Sequence, residues 1–395
     1  MRNHTAITKK TVAVIVGTRP EAIKLAPVIR ALQASDTLRP LTISTSQHGQ
    51  MVEQIFDNFG ISPDIDLRVM RPRQKLWDLT SVLSTQLGEL FAGSRVDAVL
   101  VQGDTTSAFV GGLTAFYHKI PVGHVEAGLR SHNRYSPFPE ELNRTMLGRL
   151  ANWHFAPTEF SADLLRAENI GSESIFVCGN TVVDALHWMI KRLRCRELPA
   201  GISNGNRRLI LVTCHRRENL GLPMRAVALA IKHLSDSHPG LHFLFPMHPN
   251  PSVRESILPI LGHQPGVSLC EPLNYEEFLS ALQQAYIVLS DSGGVQEEAT
   301  ALGKPVLVLR RETERPEGIA AGTLRLVGTD VQDILREANL LLGDEAAYRA
   351  MTTGSSIYGD GHASEKIIRI LEEKIQSPVT SVCFTQSPEP LVVMH

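Results

Sequence analysis

Three acids, a few cations and one glycine-rich turn are the residues able to do chemistry. Asp104 lies in Gln102-Gly-Asp-Thr-Thr106, Glu126 opens Glu126-Ala-Gly128, and Glu140 sits in the proline-stiffened Tyr135-Ser-Pro-Phe-Pro-Glu-Glu141. Any one of them could be a helix N-cap or a surface acid. Three from neighbouring loops point instead to a site, because carboxylates crowded where water is scarce have shifted pKa values and can take and give protons. Arg19 and Lys24 flank the start of a helix after Gly17-Thr18. A helix N-terminus disfavours positive charge, so cations there make sense around a bound anion. His215-Arg216-Arg217 and His248 add further cationic or potentially cationic groups at strand ends.

Asp291-Ser-Gly-Gly-Val-Gln-Glu-Glu298 follows a strand and opens a helix. Glycine permits close backbone approach, and free N–H groups of a first helical turn favour an anion. Ser292, Gly293 and Gly294 therefore suit a diphosphate, and Glu298, about a turn on, suits ribose hydroxyls. A plain strand-to-helix turn capped by Ser292 fits the same letters. The chain carries no G-x-G-x-x-G, no G-x-x-x-x-G-K-[ST] and no H-E-x-x-H. Tightly bound nicotinamide dinucleotide, Walker-type ATP hydrolysis and zincin chemistry are not expected.

The elements that position these residues are short β-branched strands alternating with helices. Val12–Val16 runs into the Arg19 loop, Ala98–Val101 into Asp104, and Pro121–Val125 into Glu126. The pattern restarts with Leu209–Thr213 before His215, His242–Pro246 before His248, and Ile287–Ser290 before Asp291. Strands apolar on both faces and separated by helices predict parallel sheets covered on both sides. The expected fold is α/β, with two doubly wound Rossmann-like domains facing a cleft. Every loop just named falls at the carboxyl end of a strand, where such sheets bind ligands. The expected division is 1–185, 186–361 with a polar linker at 196–208, a helix near 362–376 returning to the first domain, and a tail at 377–395.

A length of 395 residues suits two domains. Lys+Arg of 39 against Asp+Glu of 41 leaves a net charge of -2, with no basic excess for nucleic acid. Five scattered cysteines with no C-x-x-C argue against a zinc site or a disulfide framework. No apolar stretch is long enough for a membrane helix, and Val12–Val16 is too short for a signal peptide. The cytoplasm is the expected compartment, with neither a membrane nor a nucleic acid as partner.

Several segments together resemble the bacterial non-hydrolysing UDP-N-acetylglucosamine 2-epimerases. They are G-T-R-P-E-A-I-K (Gly17 to Lys24), Q-G-D-T-T, G-H-V-E-A-G-L-R (Gly123 to Arg130), Y-S-P-F-P-E-E-x-N-R (Tyr135 to Arg144), H-R-R-E-N (His215 to Asn219), D-S-G-G-V-Q-E-E-A, T-E-R-P-E-G (Thr313 to Gly318) and Tyr358-Gly-Asp-Gly361. They occur in order over about residues 11–372. The resemblance implies a fold like the B-type glycosyltransferases, a homodimer, no cofactor and no metal. It implies reversible conversion of UDP-GlcNAc to UDP-ManNAc, supplying ManNAc-type sugars to polysaccharide or glycoconjugate synthesis. It makes Asp104, Glu126 and Glu140 the acid/base carboxylates, Arg19, Lys24 and His215 the partners of the departing diphosphate, and Ser292, Gly293, Gly294, Glu298 and Arg315 part of the UDP site. It also places a second, activating UDP-GlcNAc on Gln47, Gln50, Arg73, Glu140, Arg216 and His248. Family members often carry Arg where this chain has Gly49, and Pro where it has Thr300.

The chemistry agrees. H2 of the sugar has no adjacent carbonyl, so without a redox cofactor the accessible route expels UDP from C1 while removing that proton. The product is a 2-acetamidoglucal that can take UDP back. A hydrolysing epimerase and a UDP-dependent glycosyltransferase are the competing enzymes, although the three acids exceed what glycosyl transfer needs. A non-catalytic nucleotide-sugar sensor, which would tolerate loss of Asp104 or Glu126, is a third reading.

Overall fold

The computed structural model describes residues 9–47, 49–71, 73–193, 198, 205, 207–354 and 356–376. The first sheet and its helices run β1 (Lys10–Val16), α1 (Arg19–Ala34), β2 (Leu38–Ser44), α2 (Gly49–Phe59), β3 (Ile65–Asp66), α3 (Leu76–Gly93) and β4 (Ala98–Gln102). They continue through α4 (Thr106–Tyr117), β5 (Val122–Val125), α5 (Glu140–Leu150), β6 (Trp153–Ala156), α6 (Glu159–Ala167) and β7 (Ile175–Val177). After α7 (Thr181–Arg192) the second series begins: β8 (Arg208–Thr213), α8 (Leu222–Ser237), β9 (Leu241–Pro246), α9 (Pro251–Leu261), β10 (Val267–Cys270) and α10 (Tyr275–Gln284). It closes with β11 (Ala285–Ser290), α11 (Gly293–Ala301), β12 (Val306–Val308), α12 (Pro316–Ala320), β13 (Leu324–Leu326), α13 (Val331–Gly343), α14 (Glu345–Thr352) and α15 (Ala363–Gln376).

Both sheets are parallel, in the orders β3-β2-β1-β4-β5-β6-β7 and β10-β9-β8-β11-β12-β13. Val12 to Val16 and Val99 to Val101 are fully buried, as strands covered by helices on both faces require. Strand order reverses between β1 and β4 and again between β8 and β11. Such reversals leave a crevice at the carboxyl edge. The loops there hold Arg19 and Asp104 in one domain, and His215 and Ser292 in the other.

Helix α15 packs against α1 of the first domain. Ile367, Ile368 and Leu371 join the buried cluster containing Leu25, Val28 and Leu32 of α1. Glu372 accepts hydrogen bonds from Ser35 Oγ (2.6 Å) and Thr37 Oγ1 (2.9 Å). Asp184 of α7 caps the incoming helix by accepting from Ser364 N at 2.7 Å. A division at 185/186 would cut α7, which packs against α1, α10, α11 and α15. Most of the expected linker 196–208 and all of the tail 377–395 lie outside the described residues. No helix among the described residues is long and apolar enough to cross a membrane.

Candidate functional site

The first-domain half is assembled from the ends of two adjacent strands. β4 ends at Gln102, and Thr105, not Asp104, caps α4 by accepting from Ala108 N at 3.0 Å. Asp104 is thereby free of a capping role, and its carboxylate meets Arg144 Nη2 at 2.7 Å while Asn143 Nδ2 donates to its backbone carbonyl at 2.9 Å. Glu126 follows β5 with a φ of 61, a left-handed conformation uncommon outside glycine. Its buried carboxylate accepts from Lys24 Nζ, Gln102 Nε2 and Asn180 Nδ2. Glu140 opens α5.

The two acids are driven in opposite directions. Burial raises Asp104, Arg144 pulls it back, and the negative charges of Glu126, Glu140 and Glu314 push it up again; the net shift is upward. Burial would raise Glu126 as well, but Lys24 and Arg315 outweigh it and hold that group below the ordinary value. Two neighbouring carboxylates whose proton affinities are pushed apart are suited to unlike roles in proton transfer.

The second-domain half contributes a run of buried charges. Arg315 donates through Nε to Glu297 at 2.7 Å and through Nη1 to Glu314 at 3.2 Å. Glu297 lies 3.3 Å from Lys24 Nζ, so Lys24 is shared between carboxylates of opposite domains. Burial lowers the Lys24 ammonium's affinity for its proton, yet Glu126 and Glu297 more than compensate. Arg144 also reaches towards Glu314, at 4.0 Å, and Thr158 Oγ1 donates to Glu317 at 2.7 Å. Glu298 accepts from Tyr275 Oη at 2.8 Å and is pushed by burial up to about 7, with Tyr275 and Arg19 acting against the rise.

The two glycines of the turn differ in their surroundings. A Cβ on Gly293 would lie 2.6 Å from Arg315 Cζ. The missing side chain therefore makes room for the Arg315 guanidinium. At Gly294 nothing lies within 4 Å of such a Cβ, so that is where the backbone stays open. Ser292 precedes α11 without a side-chain cap bond, leaving its hydroxyl uncommitted to the turn.

Of the residues read as a second nucleotide-sugar site, four border this constellation. Gln47 accepts from Ser107 Oγ in α4 at 2.9 Å, and the charge of Glu140 acts on Asp104. Arg216 acts on Glu314, and His248 stacks on His215 with centroids 5.6 Å apart. Gln50 and Arg73 are exposed, and no contact among the described residues ties them to the others.

Comparison with known proteins decides the family. The family model described as UDP-N-acetylglucosamine 2-epimerase matches residues 30–372. The chain belongs to the UDP-N-acetylglucosamine 2-epimerase family. It is 48% identical over 363 residues to the UDP-N-acetylglucosamine 2-epimerase of Bacillus subtilis, covering 92% of this chain and 95% of that one. The Escherichia coli K12 enzyme of the same name is 45% identical, with coverage of 91% and 98%. The crystal structure of UDP-GlcNAc 2-epimerase from Neisseria meningitidis bound to UDP-GlcNAc superposes with a TM-score of 0.88 at 44% identity, over 92% of this chain and 100% of that one.

Several groups that hold the acids in place lie outside the expected site residues. Arg144, Glu297, Glu314 and Asn180 are all buried; Arg144, Glu297 and Asn180 bind charged partners distant in sequence, and Glu314 binds the adjacent Arg315 and lies 4.0 Å from Arg144. Glu21 is another. Its Oε2 accepts from Gly17 N at 3.2 Å and Thr18 N at 2.7 Å, and its Oε1 from Thr105 Oγ1 at 2.8 Å, tying the Arg19 loop to the Asp104 loop. The available signal was that Glu21, Arg144 and Glu297 lie inside motifs already singled out for other residues.

Proposed function

We propose that this epimerase interconverts UDP-GlcNAc and UDP-ManNAc by anti elimination of UDP to 2-acetamidoglucal, followed by re-addition. A carboxylate takes H2, the C2–H electron pair becomes the C1–C2 double bond, and UDP leaves C1 with its bonding pair. Protonation at C2 from the other face, with return of UDP to C1, gives the epimer. The observation that carries this reading is the opposed proton affinity of Asp104 and Glu126 at adjacent strand ends. Glu140 completes the acid set, Arg19, Lys24 and His215 receive the diphosphate charge, and Ser292, Gly293, Gly294, Glu298 and Arg315 seat the UDP. Proton NMR of the protein with UDP-GlcNAc in deuterated water is the test. UDP-ManNAc deuterated at C2, with little free UDP, is expected; free ManNAc with accumulating UDP means hydrolysis and overturns re-addition.

Glu298 gives a second measurable consequence. Unliganded, it holds its proton up to about 7. Hydroxyl donors from ribose favour the ionised form, so binding lowers that pKa and expels the proton. UDP binding near neutral pH then releases roughly half a proton, fading at clearly higher pH where the free protein is already ionised. Calorimetry in buffers of different ionisation enthalpy reads this directly, and Glu298→Gln abolishes it. Uptake of a proton instead would remove Glu298 from the ribose.

A second UDP-GlcNAc on Gln47, Gln50, Arg73, Glu140, Arg216 and His248 would make the rate sigmoidal in UDP-GlcNAc; a hyperbola removes that site. The homodimer is proposed on the face of α3 and α4, where Trp77, Phe116 and Tyr117 expose 65%, 56% and 67% of their surface. A monomeric mass in sedimentation equilibrium overturns it. Cytoplasmic residence fits the free thiols of Cys178, Cys214 and Cys270.

A further inference from the structure

His215 stands on an unusual support. Asp291, at the end of β11, is completely buried. One of its carboxylate oxygens, Oδ2, accepts from His215 N (2.9 Å), Arg216 N (2.8 Å) and Asn219 Nδ2 (3.0 Å). That oxygen ties the loop after β8 to the end of β11. The other, Oδ1, is buried with no hydrogen-bond partner among the described residues, and it faces His215 Nδ1 at 3.5 Å. A buried carboxylate oxygen left without a donor is costly, so a donor from Nδ1 is the arrangement that satisfies it.

We propose that Asp291 is the positioning residue for His215, holding the imidazole by Nδ1 so that Nε2 is presented to the departing diphosphate. This rests on the reading of His215 as a partner of that diphosphate. Hydrogen bonds of this kind are often long before substrate binds and shorten in the working complex. The surroundings favour the same assignment. The His215 and His248 rings are nearly parallel, 13° apart, which limits ring rotation of His215. His248 Nδ1 already accepts from Asn250 N at 3.1 Å, and burial together with His215 lowers its affinity for a proton, so positive charge is disfavoured on that ring. The remaining titratable neighbour, Cys214, is pushed far up by burial and by the charge of Asp291 and stays a neutral thiol, a donor to that carboxylate weaker than an imidazole N–H. Asp291 is thus the one anion facing His215 Nδ1 among the described residues. The His215 side chain is 41% exposed, so the ring is within reach of a ligand. A buried carboxylate behind a histidine fixes the tautomer and supports the cationic ring at the moment charge develops opposite it.

The test is a double-mutant cycle on kcat with UDP-GlcNAc, using Asp291→Asn, His215→Gln and the pair. Asp291→Asn is expected to lower kcat about 10–100-fold with KM within about threefold. In the His215→Gln background the same change should cost no more than about twofold, because its route of action is gone. Equal losses in both backgrounds, or no loss in the first, overturn the proposal and leave Asp291 as a backbone clamp. If His215→Gln itself leaves kcat unchanged, the diphosphate role of His215 fails instead. A second measurement holds even if Asp291→Asn does not fold. Long-range proton–nitrogen NMR of the wild-type protein, with His215 assigned by difference from His215→Gln, must show Nδ1 protonated. A bare Nδ1 overturns the proposal.

Discussion

Asp104→Asn lowers kcat for epimerisation by about 10³-fold or more, while the protein stays folded and binds UDP within a few-fold of wild type. Asparagine has the size of aspartate and its Oδ1 can still accept from Arg144, which sits 2.7 Å from the native carboxylate. The Asn143 bond is to the backbone carbonyl and is untouched by the change. What disappears is a group able to give and take a proton, an ability worth about 10²–10⁴ in rate. Loss of deuterium incorporation at C2 must parallel the loss of kcat. If Asp104→Asn retains a tenth or more of the wild-type rate, Asp104 is a structural partner of Arg144, and the sensor or transferase readings return.

Arg315→Met carries the largest expected effect on stability. Arg315 is buried, its guanidinium divided between Glu297 and Glu314, and its plane packed against Gly293. Glu297 is 1% exposed and Glu314 6%, measured on their side chains. Removing the shared cation leaves two acids in low dielectric with Lys24, Arg144, Arg310 and the more distant Arg216 as their remaining cations. Breaking a buried pair from one side costs about 3–5 kcal/mol. Urea or thermal unfolding should show a loss of that order, and Glu297→Gln added to Arg315→Met should restore part of it. A stability within about 1 kcal/mol of wild type would mean water already reaches these carboxylates.

The fold was legible because each half repeats one rule: a doubly buried strand, a polar loop, a helix. The acid pair was legible for a related reason. β4 and β5 are consecutive and adjacent in a parallel sheet, so Asp104 and Glu126 had to end side by side. Contacts made across the cleft were not legible. Nothing in the spacing says that Lys24 meets Glu297, or that Arg144 reaches Glu314, because the approach of the two domains sets those distances. The neighbour of Gly293 was not legible for the same kind of reason. Local geometry identifies a glycine that something must approach closely, and only the packed structure shows Arg315 in that place. No spacing in the sequence shows that α7 packs against helices of both domains.

The last helix has a consequence for how the chain is made. α15 supplies Ile367, Ile368 and Leu371 to the core beneath α1, which lies at the opposite end of the chain. On a ribosome the first domain emerges early and then waits, its apolar groove on α1 open to water, while the whole second domain is synthesised. Vectorial synthesis cannot finish this domain from its own continuous stretch of message. The groove fills only as the carboxyl-terminal segment leaves the exit tunnel, so the unfinished nascent chain exposes a sticky surface that the finished protein hides.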